Sequence, residues 1–199
     1  ACDVYLGHLR YGTYGNYNID YVHPVSRENN YKSKNLVMAG NFNLTNVSQV
    51  FSSLVELGQN PVDFSDTVTI LENVGHRLDE ENERIFRKFK NEGYSKKEIS
   101  PLIEKNLDLA SILRKASRNW DGGYAMAGMV GHGDAFVMRD PAGIRPAYYY
   151  INDEVVVVAS ERPVIQTIFN VRTDDVIELP PASAIIIKAS GTTTIEKLQ

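Results

Sequence analysis

From residue 122 to residue 146 the chain reads GGYAMAGMVGHGDAFVMRDPAGIRP, and this stretch decides the fold class. It contains two apolar runs, at 122–131 and 134–140, and the string HGD between them predicts a hairpin. Pro141 and Gly143 then occupy positions that suit a tight turn before the next strand. Strands joined by such short connections run antiparallel, so the stretch predicts an antiparallel sheet.

Along the rest of the chain, predicted strands follow one another and predicted helices follow one another, without regular alternation between the two. Further strands are predicted at 34–41, 145–151, 154–161, 174–181, 183–189 and 192–198, with a short helix at 162–169. Longer helices are predicted at 46–57, from 65 or 66 to 93, and from Ser95 onward, with a fresh start at Ser100 and Pro101. Runs of strands around a block of helices indicate the α+β class with a mostly antiparallel sheet.

The composition narrows the classes of function. Of the 199 residues, 43% are hydrophobic and 23% are charged, which suits a soluble globular protein with one medium domain. A net charge of −4 gives no electrostatic reason to expect nucleic acid or an anionic membrane as a partner. No apolar run approaches the ~20 residues that span a bilayer, and no signal peptide is visible. Cys2 is the only cysteine, so a disulfide framework is excluded and a reducing cytoplasm is the expected location.

Three polar positions are candidates for binding a small molecule. Arg10, in GHLRYGTYG with Thr13 nearby, suits capture of a carboxylate, although a surface ion pair is the alternative. Asn41, in AGNFNLTN, could help to form an oxyanion hole, although a turn or helix cap is the alternative. Asp66, at a predicted helix start, could bind an ammonium group or simply cap the helix.

Two other groups of polar residues are not expected to carry chemistry. The RDPAGIRP turn carries Arg139, Asp140 and Arg145, for which ion pairing across the turn is the simplest interpretation. The four histidines are scattered and lack the i, i+4 spacing of a helical metal pair, so no metal site is expected.

Taken in order, these strings resemble one family. GHLRYGT, GNFNLTN, the Asp of SDT, GGYAMAGMVG, RDPAGIRP and ASE resemble the glutaminase domain of the amidophosphoribosyltransferases, which begin purine synthesis. GHxRYxT and NLTN alone are similar to those of any class II glutamine amidotransferase, whereas RDPxGIRP followed by ASE indicates this branch. The resemblance extends over almost the whole chain and is weakest at about residues 79–118.

The resemblance implies a fold and an activity. The implied fold is an N-terminal-nucleophile hydrolase-like αββα sandwich, in which two antiparallel sheets pack between helical layers, here incomplete at the N-terminus. The implied reaction begins with a cysteine thiolate, at the start of the mature chain, that attacks the side-chain amide of glutamine. Ammonia then passes to a second domain, where it displaces pyrophosphate from phosphoribosyl pyrophosphate.

The resemblance also implies roles for individual residues. Arg10 and Thr13 would bind the α-carboxylate of glutamine, and Asp66 would bind its ammonium group. Asn41 would donate to the oxyanion from its side chain. Phe42 stands where the family usually has glycine and would donate from its backbone N–H.

Cys2 does not match the family's nucleophile. It follows Ala1, precedes Asp3, and lies only a few residues before Gly7 without the family's HRGQ string. We therefore expect residues 1–199 to be a partial glutaminase domain that has no nucleophile and no phosphoribosyltransferase domain and is inactive alone. Glutamine is the expected ligand, and no cofactor is expected in this chain. Mg²⁺ and phosphoribosyl pyrophosphate belong to the absent domain, and an unpaired sheet edge would favour a homo-oligomer.

Two alternatives remain open at this point. The chain could be a degenerate, non-catalytic module that binds glutamine or a protein partner. It could also be the glutaminase domain of another class II amidotransferase.

Overall fold

The computed structural model describes residues 4–9, 22–61 and 63–199. Within these ranges the strands are β1 (Val25–Arg27), β2 (Leu36–Leu44), β3 (Gly122–Val130), β4 (Ala135–Arg139), β5 (Tyr148–Ile151), β6 (Val156–Ala159), β7 (Ile177–Glu178), β8 (Ser183–Ile187) and β9 (Thr193–Lys197). The helices are α1 (Val47–Glu56), α2 (Asp66–Asn91), α3 (Lys96–Asn106), α4 (Leu109–Ala116) and α5 (Arg162–Phe169). None of these helices combines the length and the apolar character needed to cross a membrane.

The strands form two antiparallel sheets. The larger has six strands in the order β1-β2-β3-β4-β8-β9, and the smaller has three in the order β6-β5-β7. In the pair formed by β2 and β3, Asn41 lies opposite Ala125. The hairpin predicted at HGD is confirmed, because the N–H of Val130 donates to the carbonyl of Asp134 at 2.8 Å. Gly133 in this turn has a φ of 109°, a conformation that favours glycine.

Helices α1 to α4 cover one face of the larger sheet. Within α2, Ile70, Val74 and Leu78 recur every four residues, so they form one apolar stripe that is buried in the core. Ser65 starts this helix by accepting a hydrogen bond from the N–H of Val68 at 3.3 Å. The sheet contributes to the same core with alternate residues of its strands, among them Leu36, Met38, Tyr124, Met126, Phe136 and Met138.

The other face of the larger sheet packs against the smaller sheet. Tyr149 of β5 and Ile185 of β8 are buried in this second core, with Ala125 of β3 packed against them. Helix α5 covers the outer side of the smaller sheet, where Arg162 lies 4.9 Å from the ring centre of Tyr148. The order of layers is helices, sheet, sheet, helix, which confirms the predicted αββα sandwich.

The predicted helix start at Ser100 and Pro101 is wrong. Helix α3 continues through Pro101, and the chain breaks later, where Asp108 caps α4. A proline inside a helix removes one N–H and crowds the preceding turn. Ile99 and Ile103, on either side of Pro101, are buried in the core, and this packing holds the helix together.

The ion pairs predicted across the RDPAGIRP turn do not form. Backbone groups meet the charge of Asp140, and Arg139 binds backbone carbonyls and a carboxylate outside the turn. Asp140 is fully buried and accepts the N–H groups of Ile144 at 2.9 Å and Arg145 at 3.0 Å. Arg139 donates to the carbonyls of Gly143 at 2.9 Å and Arg145 at 2.6 Å. These two side chains therefore hold the turn in shape.

Candidate functional site

The candidate site lies along one edge of β2. Strand β1 pairs with β2 only as far as Val25, opposite Met38, and no other described strand continues along that side. The opposite edge of β2 pairs with β3 along its whole length. Because successive N–H groups of a strand point alternately to its two edges, every second N–H of β2 faces the side where β1 has ended.

Three of these N–H groups, from Gly40, Phe42 and Leu44, define the site. The N–H of Gly40 donates to Nδ1 of His23 at 3.1 Å, and that of Leu44 donates to Oδ2 of Asp66 at 3.1 Å. Neither acceptor belongs to β3, so both N–H groups face the free edge. The N–H of Phe42 lies midway between them and points the same way. No side chain in the described ranges accepts from it, which makes it a candidate donor to a ligand.

Asp66 reaches this edge from the first turn of α2. Ser65 makes the capping hydrogen bond, so Asp66 is not the cap but the first helical residue. The free N–H groups and the dipole at a helix start favour a carboxylate there. Oδ2 is fixed by Leu44, whereas Oδ1 accepts no hydrogen bond from the described part of the chain. The second oxygen can therefore accept from a cationic donor.

Asn41 projects from the sheet beside the free N–H. Asn41 and Asn43 lie on the sheet face opposite to Phe42, and both side chains are exposed. Neither side-chain amide is hydrogen-bonded within the described residues. Asn46 occupies the cap position of α1, so the alternative of a helix cap does not apply to Asn41.

Phe42 fits the strand without strain, although the resemblance leads one to expect glycine. Among the described residues, the only non-glycine residues with positive φ are Asn170 and Ala182. The backbone of Phe42 is therefore ordinary extended strand, which any side chain adopts. Its ring packs against the helical core and lies 5.5 Å from the ring of His23.

Arg10 and Thr13 lie outside the described residues, as does Cys2. His8, two residues before Arg10, is described, and its ring centre lies 4.6 Å from that of His23. His8 therefore lies on the side of the molecule where His23 contacts Gly40. The structure brings Asn41, Phe42 and Asp66 together and leaves the position of Arg10 a prediction.

Sequence reasoning missed two residues of the site, His23 and Thr67. Nε2 of His23 lies 3.2 Å from Oγ1 of Thr67, so this ring spans from β2 to α2. The sequence gives no signal for the contact, since His23 is only one of four scattered histidines. In the described ranges, no three histidine, cysteine, aspartate or glutamate side chains group as metal ligands.

The arrangement can hold a small polar molecule at two points. One end of the site offers hydrogen-bond donors, the Phe42 N–H and the Asn41 amide. The other end offers the free carboxylate oxygen of Asp66. Donors of this kind stabilise negative charge on an oxygen, and a carboxylate pairs with an ammonium group.

No protein-family model matches the chain. Among curated proteins, the chain is similar to an amidophosphoribosyltransferase of Methanothermobacter thermautotrophicus, with 26% identity over 159 residues. The similarity covers 80% of this chain and 28% of that relative.

Two solved structures share the fold. One is glutamine phosphoribosylpyrophosphate amidotransferase from B. subtilis, complexed with ADP and GMP, and the other is described as the allosteric regulatory enzyme of purine biosynthesis. Each matches with a TM-score of 0.65 and 23% identity. Each match covers 96% of this chain, which spans 34% of the solved chain.

The layers, the antiparallel sheets and the solved neighbours together define the class of the fold, which is N-terminal-nucleophile hydrolase-like. The resemblance of the chain to amidophosphoribosyltransferases is confirmed by the curated relative, and the two solved structures share the fold.

Proposed function

We propose that this chain is the glutaminase part of an amidophosphoribosyltransferase and that it binds glutamine along the free edge of β2. The Asn41 side chain and the Phe42 N–H donate to the amide oxygen of glutamine as that oxygen gains negative charge. Asp66 accepts the α-ammonium group. Arg10 and Thr13 bind the α-carboxylate.

The observation that carries this proposal is the hydrogen bond from Leu44 to Asp66. It fixes the carboxylate two residues along β2 from the free N–H of Phe42. Two residues of a strand span about 7 Å. In extended glutamine the α-nitrogen and the side-chain oxygen are roughly 6 Å apart, judged from ordinary bond lengths. One glutamine can therefore meet both groups at once.

The chemistry needs a thiolate in addition to these groups. Attack of a cysteine on the glutamine amide gives a tetrahedral oxyanion, which Asn41 and Phe42 stabilise. The proposal gives Cys2 no part in this step, because its α-amine is held in a peptide bond to Ala1. Phosphoribosyl pyrophosphate, with Mg²⁺, is assigned to a part of the longer protein outside this chain.

Calorimetric titration of the chain with L-glutamine tests the proposal. Asp66→Asn removes the charge that pairs with the ammonium group, and a charged hydrogen bond contributes about 1.5–3 kcal/mol. We expect the affinity to fall by at least about tenfold. The matched control is Asp153→Asn, in an exposed turn of the other sheet, which should bind like the wild-type chain.

Two results would contradict the proposal: no binding of glutamine by the wild-type chain, or equal affinity in both variants. Binding without ammonia release is the expected behaviour of this chain alone. Ammonia release that Cys2→Ala abolishes would show instead that Cys2 is the nucleophile.

A further inference from the structure

His23 connects the two elements that carry the site. Its Nδ1 accepts the N–H of Gly40 in β2 at 3.1 Å, and its Nε2 lies 3.2 Å from the hydroxyl of Thr67 in the first turn of α2. Gly40 and Thr67 are the sequence neighbours of Asn41 and Asp66. A single imidazole ring therefore links the donor strand to the helix that carries the carboxylate.

The two contacts define the tautomer of the ring. A backbone N–H can only donate, so Nδ1 of His23 must present its lone pair to Gly40. The proton of the neutral imidazole is then on Nε2, and it donates to the oxygen of Thr67. The opposite tautomer would place an N–H against an N–H and break the contact with Gly40.

The ring and the strand are both held in place. The ring of His23 contacts those of His8, with centroids 4.6 Å apart, and Phe42, with centroids 5.5 Å apart. A Cβ on Gly40 would lie 2.6 Å from the carbonyl oxygen of Ala125, so β2 is packed closely against β3 at this point. Gly40 is thus confined between β3 on one side and His23 on the other.

We propose that His23, as the tautomer protonated on Nε2, is a positioning residue that directs the N–H of Phe42 toward the glutamine amide. This role rests on the proposed function. The N–H groups of Gly40 and Leu44, on either side of Phe42 along the edge, donate to His23 and Asp66. The direction of the Phe42 N–H is therefore set before a ligand binds. Donors fixed in advance need no rearrangement when charge develops on the substrate oxygen.

The tautomer can be measured in the whole chain by NMR that correlates the ring nitrogens with the ring protons. We expect an unprotonated Nδ1 and a protonated Nε2 at neutral pH. Thr67→Val removes the acceptor of the Nε2 proton and should shift the Nε2 resonance. A proton on Nδ1 at neutral pH would overturn the proposal.

Two substitutions separate the positioning role from simple packing. In His23→Asn the side-chain oxygen stands as many bonds from Cα as Nδ1 does, so it can still accept from Gly40. His23→Leu cannot accept. We expect His23→Leu to speed amide exchange at Gly40 and to lower glutamine affinity by about three- to tenfold, which corresponds to the loss of one hydrogen bond. We expect His23→Asn to have wild-type exchange and affinity. His76→Leu, at another largely buried histidine, is the control and should change neither.

The outcomes for His23 and for the proposed function are distinct. Equal behaviour of His23→Leu and His23→Asn would overturn the positioning role. If neither variant folds, the tautomer of the wild-type ring and the shift of its Nε2 resonance in Thr67→Val decide whether His23 has the positioning role. A wild-type chain that binds no glutamine contradicts the proposed function, whereas the tautomer and the Gly40 exchange still decide whether His23 holds the strand.

Discussion

Gly75 of α2 lies directly against the side chain of Arg27 in β1: a Cβ on Gly75 would be 2.6 Å from Cδ of Arg27. The Arg27 side chain crosses α2 at Gly75, and its guanidinium pairs with Glu72 at 3.1 Å and Asp79 at 2.6 Å. All three side chains are largely buried. The contact joins α2 to the larger sheet, and α2 carries Asp66 to the candidate site.

Gly75→Ala should therefore affect stability in opposite directions in two backgrounds. Alanine favours a helix over glycine by about 1 kcal/mol, but here its methyl group displaces Arg27 from both carboxylates. We expect the substitution to lower the free energy of unfolding in the wild-type chain and to raise it by about 1 kcal/mol when Arg27→Ala is present. Urea unfolding of the wild type, the two single variants and the double variant measures this coupling. If the effects of the two substitutions simply add, the predicted coupling is wrong.

Asp140 should contribute mainly to stability. Asp140→Ala leaves the N–H groups of Tyr124, Ile144 and Arg145 without their acceptor inside the protein. We expect a loss of about 3 kcal/mol in the free energy of unfolding. Glu178→Ala, at the half-exposed partner of Arg139, is the control and should cost less than about 1 kcal/mol. Similar losses in the two variants would refute the role of Asp140.

Asp134 should make stability depend on pH in the acid range. Burial alone would raise the pKa of Asp134, but hydrogen bonds from His132, Lys188 and the N–H of Ala189 outweigh it and hold the pKa below its ordinary 3.8. Because the folded pKa is lower than the unfolded one, this stabilisation is complete above the unfolded pKa and is lost as pH falls through the folded one.

The comparison of wild type with Asp134→Asn isolates this effect. The difference in free energy of unfolding should shrink as pH falls below the ordinary pKa of the carboxyl. Urea unfolding at a series of pH values measures it. A difference that stays constant down to pH ~2 would show that the charge of Asp134 does not stabilise the fold.

Phe42 should act through its backbone and not through its ring. Phe42→Pro removes the N–H at the free edge, where a strand tolerates proline, and Phe42→Ala keeps that N–H. We expect proline to lower glutamine affinity by about three- to tenfold and alanine to leave it within about twofold of wild type. Circular dichroism should confirm that both variants fold. If alanine costs as much affinity as proline, the ring of Phe42, and not its N–H, accounts for the loss.

Local patterns predict most of the fold. The four-residue spacing of Ile70, Val74 and Leu78 predicts α2, and Ser95 with Glu98 forms the predicted capping box. The strand at 122–130 and its hairpin follow from apolar runs and a glycine turn. These features depend on residues close together in sequence, which is why the sequence reveals them.

The parts that sequence reasoning missed depend on contacts between distant residues. The helix through Pro101 survives because the core packs on both sides of it, and His23 meets Gly40 across 17 positions. Asp66 meets Leu44 across 22 positions, so the string SDT indicated a carboxylate but not the group that fixes it. Such pairings depend on how β1, β2 and α2 pack, which no short string encodes.

A crystal structure of the chain grown with saturating L-glutamine tests the central claim most directly. The account predicts that the side-chain oxygen of glutamine lies within hydrogen-bonding distance of the Phe42 nitrogen and the Asn41 amide, with the ammonium group on Oδ1 of Asp66. The account would be contradicted if glutamine bound elsewhere, or if no glutamine were found at this edge of β2 at saturating concentration.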